Sequence, residues 1–284
     1  MNLSPRFPLG DVTVRCVTAP RKVSNPVYSD DFWQISQEEF AMQVEGVGHF
    51  YAGHGKEVEY TLFPGTAPET LELYLNGSVF GAILHQRQIL PFHGSSFIYD
   101  GQGIMLCGES GAGKSSLTAA FCLSGARFLT DDVTPIVFPN HLPMICPLSD
   151  RIKLWEDTLE QLEKGNSHLT PVIPEYKKYY FPMDKHENSH FPLQRIFIIE
   201  PGEFHQIEEI SIKGMDAFVA LRNEVYRWEY LEAMTDSEKT YLDKLLGIIR
   251  FAKVTKIRRP VNVTIKIMVD YLKNKISANS LSPK

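Results

Sequence analysis

At 284 residues, with 43% hydrophobic and 22% charged side chains, the chain can bury one large α/β core or two smaller ones, which excludes a wholly disordered protein. A formal charge of −5 gives no general attraction to nucleic acid or anionic lipid, and no stretch approaches the roughly 18 apolar residues of a membrane span. The opening "MNLSPRFPLGDVTVRC" lacks a signal-peptide pattern and Cys16, Cys107, Cys122 and Cys146 form no C-x-x-C pair, so the expectation is a cytoplasmic protein with buried free thiols, without nucleic-acid or membrane partners.

From Tyr28 to about Phe97, short apolar runs are broken by Gly and Pro. In "VEYTLF", Val58, Tyr60 and Leu62 alternate with polar neighbours, as a half-buried strand does. Asn76-Gly77 is a turn signal, and beyond it Val79 to Gln86 fits a helix as well as a strand, so this region reads as β-rich with one helix. "SSFIYDGQGIMLCGES" places two apolar runs around Asp100-Gly101, a tight hairpin signal. After the glycine-rich loop, Leu117, Ala120, Phe121 and Leu123 have helical spacing over 115–124, with Gly125 as the stop, and "ARFLTDDVTPIVF" reads as a further strand.

The stretch from Asp157 to Leu193, rich in Pro, His and charge, reads as a long loop, either an active-site or substrate loop or a disordered one. "QRIFIIEPG" is a buried strand closed by Pro201-Gly202. The remainder reads as helical, with a capping pattern at Thr235 and Glu238 and a last helix after Pro260, and the tail "SANSLSPK" as a frayed end.

The chemistry concentrates in "GESGAGKSSLTAAFCLSGARFLTDD", Gly108 to Asp132. Gly108, Gly113, Lys114 and Ser115 fit G-x-x-x-x-G-K-[ST], with Glu109, Ser110, Gly111 and Ala112 between them and Ser116 following. A glycine loop between a strand and a helix can turn successive N–H groups onto phosphate oxygens at the positive end of the helix. Lys114 would reach the terminal phosphates and Ser115 would offer a hydroxyl to Mg²⁺. Asp131 and Asp132 end the following strand, where parallel strands bring their C-terminal ends to the loop's side. A carboxylate there can meet the metal or an incoming hydroxyl, although neighbours on a strand face opposite ways unless the strand has ended. Glu200, ending "RIFIIE", is a second acidic candidate that suits a solvated turn equally well.

The segment from His93-Gly94 through the loop to Asp131-Asp132 resembles the catalytic core of the HPr kinase/phosphorylase family, bacterial Ser kinases related in fold to phosphoenolpyruvate carboxykinase. The order and spacing of His-Gly, loop and Asp-Asp pair agree over about forty residues. The resemblance implies an α/β fold with an HPr-kinase/PEP-carboxykinase-like P-loop core, placed over 89–213; the apolar patterns add a β-rich N-terminal part over 1–88, expected to pack on the core, and a helical C-terminal part over 214–284. It further implies ATP and Mg²⁺ as cofactors, with Gly108, Glu109, Ser110, Gly111, Ala112, Gly113, Lys114, Ser115 and Ser116 around the nucleotide. Asp131, His93 and Lys114 would be catalytic, with Asp131 the base, and Ser115 and Asp132 would hold the metal.

Ser116 stands where HPr kinases commonly have Glu, and their downstream Gly-rich segment has no counterpart. The layout, including "DRIKLWEDTLEQL", is more similar to the HPr-kinase-like proteins of bacterial peptide-modification clusters, among them kinases of a lasso-peptide precursor Ser. The expected substrate is therefore a peptide or small protein. Two rivals are a nucleotide-dependent binding or regulatory module without transfer and a small-molecule phosphotransferase. HPr kinases form hexamers, so a homo-oligomer is one option.

Other features carry less. "PEYKKYYF" reads as a loop anchored by its aromatics with solvated Lys177 and Lys178, or as a grip for an acidic ligand. Arg258-Arg259 is either a phosphate or carboxylate contact or a solvated pair. His186 and His190 are four apart between Pro182 and Pro192, too irregular a setting for a zinc pair. Trp33, Trp155 and Trp228 read as core or interface anchors.

Overall fold

The computed structural model describes residues 5–173, 176–184 and 189–277. His186 and the tail after Ser277 lie outside the described residues. Among those described, no helix is long and apolar enough to cross a membrane. The chain divides into two compact units: the first is the chain up to Pro91 with Val225–Lys244 and a short piece from Val172, and the second is Phe92–Pro171, Tyr176–Glu224 and the chain from Leu245.

In the first unit, strands β1 (Thr13–Cys16), β2 (Tyr28–Ser29), β3 (Trp33–Ile35), β4 (Glu39–Val44), β5 (Gly48–Gly53) and β6 (Glu57–Leu62) form one six-stranded sheet in the order β1-β6-β5-β4-β3-β2. Alternation sets the register: Phe40, Met42, Val58 and Tyr60 point inward, and their neighbours stay partly exposed. Leu71, Leu75, Val79 and Ile83 cover this face from a helical run made of α1 (Pro68–Tyr74), one π-helical turn over Leu75–Val79 and α2 (Phe80–Gln86). Asn76-Gly77, expected as a turn, is thus inside the run. Burial of Leu75 and Val79 on either side outweighs the local turn preference, and the mismatch is absorbed by the wider turn, with Gly77 off helical geometry.

The second unit is built on the end of β7 (Leu90–His93), from Phe92, and on the strands β8 (Ser95–Tyr99), β9 (Gln102–Cys107), β10 (Arg127–Thr130), β11 (Val133–Val137), β12 (Met144–Ile145), β13 (Arg151–Trp155), β14 (Thr170–Pro171), β15 (Lys178–Pro182), β16 (Phe191–Gly202), β17 (Glu208–Ser211) and β18 (Lys253–Pro260). Its main sheet runs β10-β8-β9-β16-β18-β17, and a branch β12-β11-β7 leaves the start of β16. The β8–β9 hairpin closes at Asp100-Gly101, both with positive φ, as the sequence predicts. β16 pairs parallel with β9 and β18. Its residues Ile196–Ile199 are all buried, the pattern of a strand covered on both faces.

Helices α3 (Lys114–Leu123), α4 (Glu156–Gln161), α5 (Gly214–Asn223), α6 (Glu238–Phe251) and α7 (Ile265–Ser277) complete the chain. α3 and α7 bury Leu117, Phe121, Met268, Val269 and Leu272 against Phe97, Ile104, Leu106, Phe197, Ile199 and Ile257 of the sheet.

Two expectations are corrected. The stretch 157–193 is not a structureless loop, because α4, β14 and β15 lie in it and β13, β15 and β14 form a separate three-stranded sheet. The C-terminal part is not all helical: β18 lies between β16 and β17, with Val254, Thr255 and Ile257 buried and its other residues half-buried or exposed. α6 starts at Glu238 after a 3₁₀ turn over Thr235–Ser237, later than the capping pattern places it, as 3₁₀ turns often open helices.

Candidate functional site

The loop Gly108–Gly113 joins β9 to α3, and three of its glycines hold left-handed φ: +129° at Gly108, +84° at Gly111 and +95° at Gly113. Gly108 is also a contact position, since a Cβ there would lie 2.3 Å from the Ile199 carbonyl oxygen of β16. Glu109, Ser110 and Gly111 form the exposed tip and Ala112 is buried beneath it. Lys114 folds back under the loop, its Nζ donating to the carbonyls of Gly108 at 2.7 Å and Glu109 at 3.0 Å. Burial holds its ammonium below the ordinary lysine range.

Two residues that the sequence reading left out of the site brace this loop. Glu224, just after α5, accepts the Gly108 N–H at 2.9 Å, and burial raises its carboxyl above the ordinary value. Arg259, at the end of β18, donates through Nη2 to the Ala112 carbonyl at 3.2 Å. Of the flagged Arg258-Arg259 pair, therefore, Arg259 meets the loop, while Arg258 lies 3.5 Å from Glu200, which also pairs with Lys256 at 3.0 Å. Glu200 is thus placed among cations of β18.

The strand after α3 stops at Thr130, and the next begins at Val133. Between them the Val133 N–H donates to the Asp131 carbonyl at 2.9 Å, and Asp132 has φ +71°, the geometry of a γ-turn of the strained hand. The turn removes the strand alternation that would have sent the neighbouring carboxylates to opposite faces. Its other backbone groups are pinned: the Asp132 carbonyl accepts from Gly94 N at 3.2 Å and faces His93 Nδ1 at 3.2 Å. Below it, Ser96, Thr130 and Thr134 link hydroxyls at 2.6 Å each, and Thr134 donates on to the Gly94 carbonyl at 3.1 Å. The expected parallel relation of this strand to β9 holds in direction only, because antiparallel β8 lies between β9 and β10.

The two carboxylates have different surroundings. Asp131 accepts from Ser115 Oγ at 2.7 Å and from the Lys153 N–H at 2.9 Å. Burial first, and then the charge of Asp132, raise its pKa above the ordinary carboxylate value. Asp132 is also pushed up by burial, but the Lys153 ammonium, 2.7 Å from its Oδ2, outweighs that and holds it well below the ordinary value. Lys153 is correspondingly held above the lysine range by Asp132, against the effect of burial. A pair split in this way provides one carboxylate with raised proton affinity and one fixed anion. Burial and then the Lys114 charge lower the His93 imidazole, which favours its neutral form beside the pair. Ser116 turns toward α4, its hydroxyl 3.0 Å from that of Thr158.

Lys153 is a further residue that the sequence reading missed. Its one signal was alternation in "DRIKLW", which aims Arg151, Lys153 and Trp155 to one side.

Among the described residues no group of three or more His, Cys, Asp or Glu is arranged to hold a metal. The donors near the loop are hard oxygens, Ser115 Oγ and the two carboxylates. That set fits Mg²⁺, which keeps several waters and takes one or two carboxylates with substrate phosphates. The open glycine tip, with no atom within 4 Å of a Cβ built at Gly111, fits close approach of a phosphate chain.

No family model matches the chain, and no curated protein matches it. Among solved structures it is similar to the Hpr(Ser) kinase/phosphatase from Coxiella burnetii, at 13% identity and a TM-score of 0.34, over 67% of this chain and 98% of that one. At that TM-score the likeness carries no weight for function.

Proposed function

We propose that the chain is an ATP- and Mg²⁺-dependent kinase that transfers the γ-phosphoryl group to the Ser hydroxyl of a peptide or small protein, with a lasso-peptide precursor among the candidate acceptors. The observation that carries this reading is the convergence of Ser115, Asp131, Asp132 and Lys153 beside the glycine loop, with the two carboxylates driven apart in proton affinity. A module that only binds nucleotide has no use for such a split pair. The resemblance of 93–132 to the HPr kinase/phosphorylase core supports the same assignment.

In this reading the loop N–H groups and Lys114 position the phosphates, with Lys114 exchanging its two carbonyl partners for phosphate oxygens. Ser115 and Asp132 would hold Mg²⁺, which neutralises phosphate charge when bound. Asp131 receives the proton of the acceptor hydroxyl as its oxygen bonds to the γ-phosphorus. The bond from that phosphorus to the β–γ bridging oxygen breaks, and ADP leaves with the electron pair. His93, neutral and next to the γ-turn, orients the turn through the Asp132 carbonyl.

The test is incubation with γ-labelled ATP and Mg²⁺, with HPr and with Ser-containing precursor peptides, followed by intact mass of every component. Gain of one phosphate on an acceptor is the expected result. Nucleotide binding with no acceptor modified across the panel would favour the binding-module reading.

A further inference from the structure

β13 pairs antiparallel with β15 so that Arg151 faces Pro182, Lys153 faces Tyr180 and Trp155 faces Lys178. Residues directly opposite one another share a face, so these six side chains lie together. The alternate set goes the other way: Ile152 and Leu154 pack with Ala119 and Phe128, and Tyr179 and Phe181 join them. One face of the small sheet is thus a core face, and the other is basic and aromatic.

That second face continues directly into the candidate site, because its middle residue, Lys153, is the one that reaches Asp132 at 2.7 Å. On one side of Lys153, the Arg151 guanidinium lies 3.8 Å over the Tyr180 ring. On the other, Lys178 Nζ is 5.2 Å from the Trp155 ring. Trp155, expected as a core or interface anchor, is 47% exposed, and Tyr176, 56% exposed, stands edge-on to it at 6.4 Å. Aromatic and Arg side chains are enriched where a chain segment docks.

We propose that this face is the acceptor-docking surface, and that it takes an extended peptide segment with acidic side chains on either side of the acceptor hydroxyl. The proposal rests on the phosphotransfer reading for the identity of the hydroxyl. Side chains of one strand face recur every second residue, about 7 Å apart. Arg151 and Trp155, with Lys178 opposite, therefore stand one such repeat on either side of Lys153, where the site begins. An extended peptide with its Ser beside Lys153 and Asp131 places its residues at −2 and +2 near Arg151 and Lys178. Carboxylates there gain charge-assisted contacts, and the aromatic rings cover the peptide's apolar parts. A basic segment would meet Arg151 and Lys178 as like charges.

The experiment uses the full chain with Mg²⁺ and ATP and three fluorescein-labelled Ser peptides that differ only at −2 and +2: Asp at both, Asn at both or Lys at both. Anisotropy reads binding, and intact mass reads phosphate. The Asp peptide is expected to bind roughly five- to tenfold more tightly than the Asn peptide, with the Lys peptide weaker still and the difference shrinking as salt rises. Lys178→Glu should abolish or reverse the preference between the Asp and Lys peptides. Arg151→Gln provides a second, independent reduction should the charge reversal disturb folding. Equal binding of the three peptides, no binding of any, or an unaltered preference in both variants overturns the proposal. Charge-selective binding without phosphate gain leaves the docking surface standing and removes the transfer reading. Phosphate gain without charge selection does the reverse.

Discussion

Asp132 concentrates the local energetics of the site. Its φ of +71° is a conformation that costs on the order of 1–3 kcal/mol for a residue other than Gly, and the surrounding bonds from Gly94, His93 and Lys153 hold it there. Removing the Lys153 charge with Lys153→Met should destabilise the fold by about 2 kcal/mol, less than the ~3–5 of a fully buried broken pair because the Asp132 side chain keeps 36% of its surface accessible. The sign with pH follows from the depressed pKa of Asp132. A carboxyl lowered in the folded state adds stability above its unfolded pKa and loses it as pH falls toward the folded one. The gap in urea midpoint between wild type and Lys153→Met should therefore be constant near neutrality and narrow below about pH 4. Asp131 has the opposite sign, raised by burial, so Asp131→Asn should be no less stable than wild type at pH 7. The sequence named both aspartates and placed them after the loop. It could not aim them, because a γ-turn leaves no periodic signal, and Lys153 and Glu224 reach the site from segments distant in the chain and without a motif.

The strand, loop and helix that carry the phosphate-binding pattern depend on two kinds of glycine. Gly108→Ala should cost about 3 kcal/mol or more and abolish nucleotide binding, since its Cβ would collide with the Ile199 carbonyl of the paired strand at 2.3 Å. At Gly111 a Cβ meets nothing within 4 Å, and only the positive φ is strained, so Gly111→Ala should cost about 1 kcal/mol. Urea unfolding of the two variants side by side checks this contrast. The β8–β9 hairpin, α3 and its Gly125 stop were legible because each joins an apolar period to a turn residue. β18 was not, because its lysines and arginines leave no clean period of two, and pairing with neighbouring β16 and β17 is what makes the segment a strand. The fold of β13 to β15 was hidden likewise, with the pairing set by partners across a long connection.

The second unit draws its core from three stretches of chain, so its stability depends on segments remote from the loop. α7 supplies Met268, Val269, Leu272 and Ile276 to the face of the sheet that α3 also covers. Leu272, fully buried, should cost about 2–5 kcal/mol as Leu272→Ala, with loss of nucleotide affinity only in proportion to unfolding, which melting with and without ATP would separate. The mixture of strands and helices was legible from the alternating and helical apolar spacings, and the α/β class from the resemblance of 93–132. The return of 225–244 to the first unit was not, because no composition change marks where the chain crosses between cores. The measurement that most directly tests the kinase reading is phosphate transfer by Asp131→Asn beside wild type, with ATP affinity measured on the same samples. The expected result is retained ATP binding and transfer reduced by about 10²-fold or more, the contribution of a positioned general base. Transfer within a few-fold of wild type by the folded variant would contradict the assignment of Asp131 as the base, and no transfer by wild type to any acceptor would contradict the kinase reading.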